Sequence, residues 1–299
     1  MLLESILVPA SLLVSQGLNL QGAKVIFRNL IESKMQTEKV IDHIVHWLKD
    51  YATKANIKGF VIGVSGGIDS AVTSTLCART GLKLLCVEMP IHQGENQVTR
   101  ADRHINWLME HFSNVSREPV NLTPVFDSLV AALPKVDDEE ERFMSLANTR
   151  ARLRMTTLYY FAALKGYLVA GTGNKVEDFG IGFYTKYGDG GVDLSPIADL
   201  LKTEVYALGA ALGVNKDIME AAPTDGLWGD HRTDEDQIGA SYPELEWAMQ
   251  MDDLGKTVED FSDREKEVFA IYKKFNTANK HKMIPIPICE IPDSLKTAS

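Results

Sequence analysis

The spacing of apolar residues along the chain predicts the first helix and the first strand. From Met35 to Thr53 the apolar residues recur every three or four positions, as in a helix that buries one face. Gly59 to Val64 then form a continuous apolar run that is too short for a helix and lacks alternation. Such a run is typical of a strand buried on both faces of a sheet. We therefore predict a helix followed by a central strand.

The rest of the chain continues this alternation. The same patterns predict helices over 69–80, 96–112, 137–164 and 199–212, and strands over 82–89, 120–122 and 167–170. Strands that alternate with helices form right-handed crossovers and parallel sheets. We predict an α/β fold with a doubly wound, mainly parallel sheet and helices on both faces. It forms a single domain over residues 35–299, with a helical N-terminal extension of unknown role over residues 1–34.

Composition narrows the class of protein. The chain has 299 residues, of which 45% are hydrophobic, so it can bury a substantial core. Its net charge of −10 argues against sequence-independent binding of nucleic acid, which needs clustered Lys and Arg. No apolar run approaches the ~20 residues of a membrane span. The three cysteines form no CxxC pair, which suits a reducing compartment. We expect a cytoplasmic protein without a membrane or nucleic-acid partner.

The segment Ser65-Gly-Gly-Ile-Asp-Ser70 lies between the first predicted sheet strand and the helix that follows. Two adjacent glycines allow a tight turn and a close approach of the backbone to a ligand. Exposed N–H groups and a helix N-terminus then favour a phosphate group. Asp69 would repel a bare phosphate, so its presence indicates a bridging cation, for which Mg²⁺ is the natural choice. The alternative is a simple glycine turn capped by Asp69.

Two other glycine motifs fail closer inspection. Gly255-Lys256-Thr257 ends like a Walker A loop, but Gln250 stands where the first glycine belongs and no strand precedes it. Gly171-Thr-Gly173 follows a strand like a dinucleotide fingerprint, but Val176 occupies the third glycine position. Neither motif supports its usual function.

The Ser65–Ser70 segment resembles the pyrophosphate-binding loop of the N-type ATP pyrophosphatases, which have the adenine nucleotide alpha hydrolase-like fold. Three longer stretches, Asn148–Met155, Gly171–Lys202 and Ala222–Tyr242, together with Lys280-His-Lys282, resemble NAD synthetase. The likeness runs in order over about residues 35–292. The chain departs from the commonest pattern by one extra residue between Thr172 and Lys186, which leaves Glu177 and Asp178 competing for one metal role.

The resemblance implies a carbon–nitrogen ligase of the ammonia-dependent type. Deamido-NAD would be adenylated by ATP, and ammonia would then displace AMP and form NAD. The resemblance assigns ATP to Thr172, Lys202, Thr224 from a mobile loop, and Gly63, Val64, Ser65, Gly66, Gly67, Ile68, Asp69 and Ser70. It assigns Mg²⁺ to Asp69 and Glu177, and deamido-NAD to Arg152, Lys186, Asp193, His281 and Lys282. It assigns catalysis to Asp69, Lys186 and Asp189, the last of which would help to deprotonate ammonium.

Each of these residues also has an ordinary structural explanation. Arg152 lies between Arg150 and Arg154 on its predicted helix, where arginines usually face solvent, and Lys202 could lie on a solvated helix face. Two other functions remain open, a tRNA-modifying ATP pyrophosphatase and a non-catalytic adenine-nucleotide sensor. Residues 1–34 are too few for an amidase domain, so free ammonia is the expected donor unless a separate subunit supplies it. The resemblance also implies a homodimer.

Overall fold

A computed structural model describes residues 35–223 and 233–296. Its strands are β1 (Gly59–Gly63), β2 (Lys83–Glu88), β3 (Val115–Pro119) and β4 (Leu168–Val169). Its first helices are α1 (Thr37–Lys54), α2 (Ile68–Arg79), α3 (Glu95–His111), α4 (Thr123–Ala132) and α5 (Glu139–Lys165). A π-helical segment, Val176–Ile181, and a 3₁₀ turn, Val258–Asp260, interrupt the later helices. These helices are α6 (Lys202–Leu212), α7 (Lys216–Met219), α8 (Asp234–Ile238), α9 (Tyr242–Asp253), α10 (Asp263–Met283) and α11 (Asp293–Lys296).

The four described strands form one sheet in the order β3-β2-β1-β4, and every neighbouring pair is parallel. Gly59 lies so close to β2 that a Cβ there would stand 2.0 Å from the Lys83 carbonyl oxygen, so the start of β1 requires glycine. An isolated parallel bridge between Ala170 and Leu194 extends the β4 edge. The predicted α/β class and parallel sheet are confirmed.

Both faces of the sheet are covered, because alternate residues of each strand point to opposite sides. Ile62 and Leu84 pack with helices α1, α2, α3 and α6 on one side, and Val61 and Leu85 pack with α4 and α5 on the other. A separate apolar cluster joins the π-helical segment to α8, α9 and α10, with Phe269 at its centre. This second cluster packs the later helices against one another and against the π-helical segment.

The predicted strand over 120–122 is wrong by about five residues. The strand is β3, whose sequence Val-Ser-Arg-Glu-Pro is mostly polar because it lies at the sheet edge and is half-exposed. The apolar residues that suggested a strand lie just beyond it. Val120 N donates to Glu88 O at 2.8 Å and Leu122 N donates to Pro90 O at 3.1 Å. This segment therefore continues to pair with the end of β2 and the residues after it, beyond the last residue of strand β3.

The remaining sequence predictions on the fold have mixed outcomes. The helix predicted over 69–80 is α2, and Gly81 follows its C-cap residue with a φ of 75°, the left-handed conformation in which many helices end. The predicted N-terminal helical extension lies outside the described residues. Among the residues that are described, no helix is both long enough and apolar enough to span a membrane.

Candidate active site

The loop between β1 and α2 has the conformation that its sequence predicts. Gly66 has a φ of 81°, a region that favours glycine, and Gly67 is the N-cap residue of α2. The hydroxyl of Ser70 accepts a hydrogen bond from Ser65 N at 3.2 Å and donates to Gly67 O at 3.0 Å. These bonds close the turn on itself. The loop lines a cavity of about 600 Å³ at the carboxyl end of the sheet.

Two carboxylates converge on one ammonium group beside this loop. Lys202 Nζ, on a side chain that is only 4% exposed, donates to Asp69 and, at 3.0 Å, to Glu177 Oε1. Asn174 Nδ2 donates to Asp69 Oδ1 at 3.2 Å, and the Tyr242 hydroxyl donates to Glu177 Oε1 at 2.6 Å. We call Asp69, Glu177 and Lys202 the carboxylate–lysine cluster. It joins the starts of α2 and α6 to the π-helical segment.

The cluster shifts the pKa of each of its members. Burial raises the pKa of Asp69, although Lys202 opposes the shift. Burial alone would also raise the pKa of Glu177, but Lys202 and the Tyr242 hydroxyl hold it below the usual value. Burial alone would lower the pKa of Lys202, and the two carboxylates raise it instead. A buried cation and at least one buried carboxylate therefore coexist at neutral pH, as buried charges do only when paired.

Glu177 and Asp178 point to different places. Glu177 belongs to the carboxylate–lysine cluster, whereas the Asp178 carboxylate packs against Gly173, where a Cβ would stand 2.2 Å from its oxygens. Burial, and the negative charges of Glu177 and Asp189, raise the pKa of Asp178 to about 8. Of the two competing residues, Glu177 has the position that faces Asp69.

A smaller cavity of about 140 Å³ lies beside the first and is lined by Asp178, Asp189, Tyr184 and Lys282. Asp189 Oδ1 accepts a hydrogen bond from Thr185 N at 3.0 Å. The Asp189 side chain is open to the cavity, but the protein atoms around the cavity replace bulk water and raise its pKa. Lys282 Nζ donates to the carbonyls of Gly182 and Tyr184 at 2.9 Å each.

The structure brings many of the predicted site residues to the larger cavity. They are Gly63, Val64, Ser65, Gly66, Gly67, Ile68, Asp69, Ser70, Thr172, Glu177, Asp189, Lys202 and Lys282. Thr224 lies outside the described residues.

Four other predicted residues lie away from the cavity wall. Arg152 is exposed and its Nη2 lies 3.4 Å from Lys186 O, while Lys186 Nζ donates to His281 O at 2.6 Å. Asp193 uses both carboxylate oxygens within the fold, since Oδ1 accepts from the Tyr159 hydroxyl at 3.0 Å and Oδ2 from Val169 N at 2.8 Å. Within this single chain, Arg152, Lys186 and His281 form a surface group next to the cavity, and Asp193 supports β4.

Sequence reasoning missed several residues of the site. Asn174 and Tyr242 hold the carboxylates in place, and both lie within stretches that carry the family resemblance, so a closer reading of those stretches could have found them. Arg100, whose Nε donates to Gly66 O at 3.2 Å, and Arg154 also line the cavity. Arg100 lies outside the stretches that carry the family resemblance, whereas Arg154 lies within one of them, Asn148–Met155, and was not selected.

Comparison with known proteins shows which family this chain resembles. Residues 40–285 match the family described as NAD synthase. A curated NH(3)-dependent NAD(+) synthetase from Carboxydothermus hydrogenoformans is 40% identical over 71% of this chain and 85% of its own length. The corresponding protein from Archaeoglobus fulgidus is 34% identical over 87% of this chain and 100% of its own.

Solved structures show the same likeness. The structure of NMN synthetase from Francisella tularensis has a TM-score of 0.73 and 29% identity, and the match covers 87% of this chain and 100% of that one. An NH3-dependent NAD synthetase from Campylobacter jejuni, in complex with the nitrate ion, has a TM-score of 0.69 and 25% identity, covering 86% and 100%. The family model and the curated relatives agree over most of the chain, so the protein belongs to the NAD synthase family.

Proposed function

We propose that the protein is an ammonia-dependent NAD synthetase, a ligase that amidates deamido-NAD at the expense of ATP. The curated relatives carry this name and are matched over most of their length. One structural observation carries the proposal. The glycine loop, two converging carboxylates and Asp189 with Lys282 line a single cavity, so a triphosphate and an acyl group could meet there.

The donor set around Asp69 fits Mg²⁺. Two carboxylates already converge on a single positive charge, that of Lys202 Nζ. Within residues 35–223 and 233–296 there is no group of three or more His, Cys, Asp or Glu that could hold a metal by itself. Mg²⁺ is usually bound through one or two carboxylates together with phosphate oxygens of the substrate. We therefore propose that Asp69 and Glu177, rather than Asp178, hold it with ATP.

The chain's own residues prepare the adenylation step. The turn from Ser65 to Ser70 and the N-terminus of α2 present N–H groups to the phosphates of ATP. When bound, Mg²⁺ would neutralise charge that develops on the departing pyrophosphate. In the structure, Lys202 offsets the negative charge of the two carboxylates. In the proposal, Lys202 and Thr172 also contact ATP. The product of this step is an acyl-adenylate of deamido-NAD, with pyrophosphate released.

The smaller cavity suits the amidation step. Ammonium must lose a proton before nitrogen can attack the acyl carbon, so a carboxylate with a raised pKa nearby is an appropriate base. Asp189 has such a pKa and lines both cavities. In the proposal it accepts that proton, AMP departs, and Lys282 binds deamido-NAD. In the proposal, the deamido-NAD site is completed by Arg152, Lys186, Asp193 and His281. Lys186 was also predicted to be catalytic.

We propose a homodimer in which part of the deamido-NAD site lies near the subunit boundary. Helices α4 and α5 carry exposed apolar side chains, namely Val125, Leu129, Met144, Tyr160 and Leu164. Patches of this kind mark interaction surfaces. The exposed Arg152 lies on the same helix, α5, beside Lys186 and His281. A second subunit on this surface would enclose the surface group that the single chain leaves open.

The dimer is tested by light scattering of the purified protein. We expect the mass of two chains for the wild type and of one chain for Leu164→Glu, because a charge within an apolar interface is costly to bury. Leu254→Glu is the control, since Leu254 is similarly exposed but lies after α9, far along the chain from α4 and α5. A monomeric wild type would contradict the proposal.

One assay tests the activity. Purified protein with ATP, Mg²⁺, deamido-NAD and ammonium should form NAD, AMP and pyrophosphate in equal amounts. ADP in place of AMP, or turnover only with tRNA, would contradict the proposal and favour another ATP pyrophosphatase. Glutamine should not replace ammonium. Because a similar structure is called an NMN synthetase, the deamidated mononucleotide is assayed in parallel. A higher kcat/KM for the mononucleotide than for deamido-NAD would make the mononucleotide the assigned substrate.

Two broader predictions accompany this function. We propose that residues 35–299 form one catalytic domain and that the protein acts in the cytoplasm. Fractionation of cells that produce a tagged full-length chain would test the location, and recovery of the protein with membranes would contradict it.

A further inference from the structure

Arg154 is a cation of the larger cavity that has no acidic partner among the described residues. Its Nε donates to Met89 O at 3.1 Å and its Nη2 donates to Gln93 Oε1 at 2.8 Å. Both acceptors are neutral. Gln93 Oε1 also accepts from Ile91 N at 2.8 Å, so the residues after β2 hold the guanidinium in place from one side. Of its five N–H donors, three have no partner within the described part of the chain.

Two other cations with restricted exposure, Lys202 and Arg117, are each paired with acids, whereas Lys282 donates to carbonyls, as Arg154 does in part. Lys202 meets two carboxylates, and Arg117 meets Glu88 and Asp102 at 2.6 Å each. Arg154 is half-buried, and its surroundings destabilise the charged form of its side chain. Burial and the positive charge of Arg150 lower the pKa of Arg154 to about 10, and only the more distant Asp189 opposes this. The side chain is still charged at neutral pH, so the cavity wall contains a guanidinium that makes no direct contact with a carboxylate among the described residues. Buried charges are normally paired, which indicates that an anion completes this site.

The position of Arg154 limits which anion can reach it. One turn after Arg154, Leu158 lies 3.7 Å from where a Cβ would stand on Gly63, at the end of β1. The next residue along the helix, Met155, lies 3.0 Å from the corresponding position on Gly191. Arg154 therefore lies where α5 passes between two loops, the turn from Ser65 to Ser70 and the loop that carries Asp189. In the proposed reaction, the group that must lie between these two loops is a phosphate.

We propose that Arg154 binds a phosphate group of the bound nucleotides through its free N–H donors. The proposal rests on the proposed function, because that reaction brings ATP and deamido-NAD into this cavity. A planar guanidinium can bind two phosphate oxygens at once, and such charge-assisted pairs are among the stronger hydrogen bonds in proteins. The phosphate belongs either to ATP or to deamido-NAD. The position between the two loops is compatible with both sources, and separate titrations distinguish them.

The test measures binding without turnover, by calorimetric titration of the full-length protein. ATP with Mg²⁺ and deamido-NAD are titrated separately into the wild type, Arg154→Gln and Arg154→Lys. We expect Arg154→Gln to weaken binding of one ligand by about 10- to 100-fold, the size expected for hydrogen bonds to a charged group. The ligand that is affected identifies the source of the phosphate. Arg154→Lys should recover part of the loss, because it restores the positive charge but not the planar guanidinium that binds two phosphate oxygens at once.

A matched control separates binding from support of the fold. Gln93→Ala removes the neutral partner and leaves the charge, so binding should change by less than about threefold. If Arg154 only supported the end of β2, Gln93→Ala and Arg154→Gln would weaken binding equally, and the proposal would be wrong. Equal binding by a folded Arg154→Gln and the wild type would also overturn it. If Arg154→Gln does not fold, the proposal is overturned when Arg154→Lys binds the ligands as tightly as the wild type does.

The outcomes also separate this proposal from the proposed function. A wild type that binds neither ATP nor deamido-NAD contradicts the NAD synthetase assignment, and the phosphate proposal falls with it. A wild type that binds both, alongside variants that bind equally well, contradicts the role of Arg154 alone. Rising salt should weaken phosphate binding by the wild type more steeply than by Arg154→Gln, because one cationic contact is absent in the variant.

Discussion

Asp69→Asn is expected to lower kcat/KM for NAD formation by about 100- to 1,000-fold, the usual loss when one preorganised electrostatic group is removed. Asparagine has nearly the same shape but no negative charge, so it would hold Mg²⁺ poorly against the phosphates. The change also removes one of the two carboxylates that meet Lys202. The measurement is steady-state kinetics with NAD and AMP followed together at saturating Mg²⁺.

Asp199→Asn is the matched control for this prediction. Asp199 is also an aspartate paired with a lysine, Lys175 at 3.0 Å, but its side chain is 97% exposed. An exposed pair of this kind contributes little to stability, and it lies outside both cavities. Its activity should stay within about twofold of the wild type. Near-normal turnover by a folded Asp69→Asn would show that the carboxylate–lysine cluster is structural and that the phosphates bind elsewhere.

The turn from Ser65 to Ser70 could be predicted from sequence because its determinants are local. A buried strand, two glycines and a following helix occupy adjacent positions, and together they fix a turn at the carboxyl end of the sheet. The carboxylate–lysine cluster is different, since Asp69 and Lys202 are 133 positions apart. No spacing rule connects residues so distant. Only the family resemblance brought them together in advance of the structure.

Two of the four arginines of α5, Arg152 and Arg154, show what a motif leaves undecided. Successive helical residues are rotated by about 100°, so Arg152 and Arg154 lie about 200° apart around the helix. One must face away from whatever the other faces. The family resemblance selected Arg152, which is exposed in the single chain, whereas Arg154 lines the cavity. Which side of a helix meets a cavity depends on tertiary packing, and in a dimer both sides can be in use.

The missed elements have a related cause. Strand β3 is an edge strand with polar residues, so it lacks the apolar run that made β1 and β2 recognisable. Helix α10 is long but buries only a narrow stripe, with Val268, Phe269 and Tyr272 as its buried residues. Its remaining positions are largely polar or charged, which weakens the periodic signal. In both elements, a small buried surface weakens the apolar pattern on which the sequence prediction depends.

Lys202→Met is expected to reduce both stability and activity. Methionine keeps most of the side-chain length but removes the charge, which leaves the carboxylates of Asp69 and Glu177 facing each other. Removing one partner from a buried ionic group typically lowers the free energy of unfolding by about 3–5 kcal/mol. Activity should fall by about 100-fold or more, as for Asp69→Asn. Urea unfolding and steady-state kinetics measure the two effects separately.

The double variant Lys202→Met/Asp69→Asn separates these two roles. Removing one carboxylate relieves the repulsion, so the double variant should be more stable than Lys202→Met although it carries one more change, and it should stay inactive. Mg²⁺ should raise the melting temperature of Lys202→Met more than that of the double variant, because only the single variant offers two carboxylates to the ion. If the two losses of stability simply added, the residues would not be coupled. If Mg²⁺ binds as proposed, it supplies positive charge to the same carboxylates as Lys202 does, so stability in the absence of metal and catalysis in its presence would depend on one cluster.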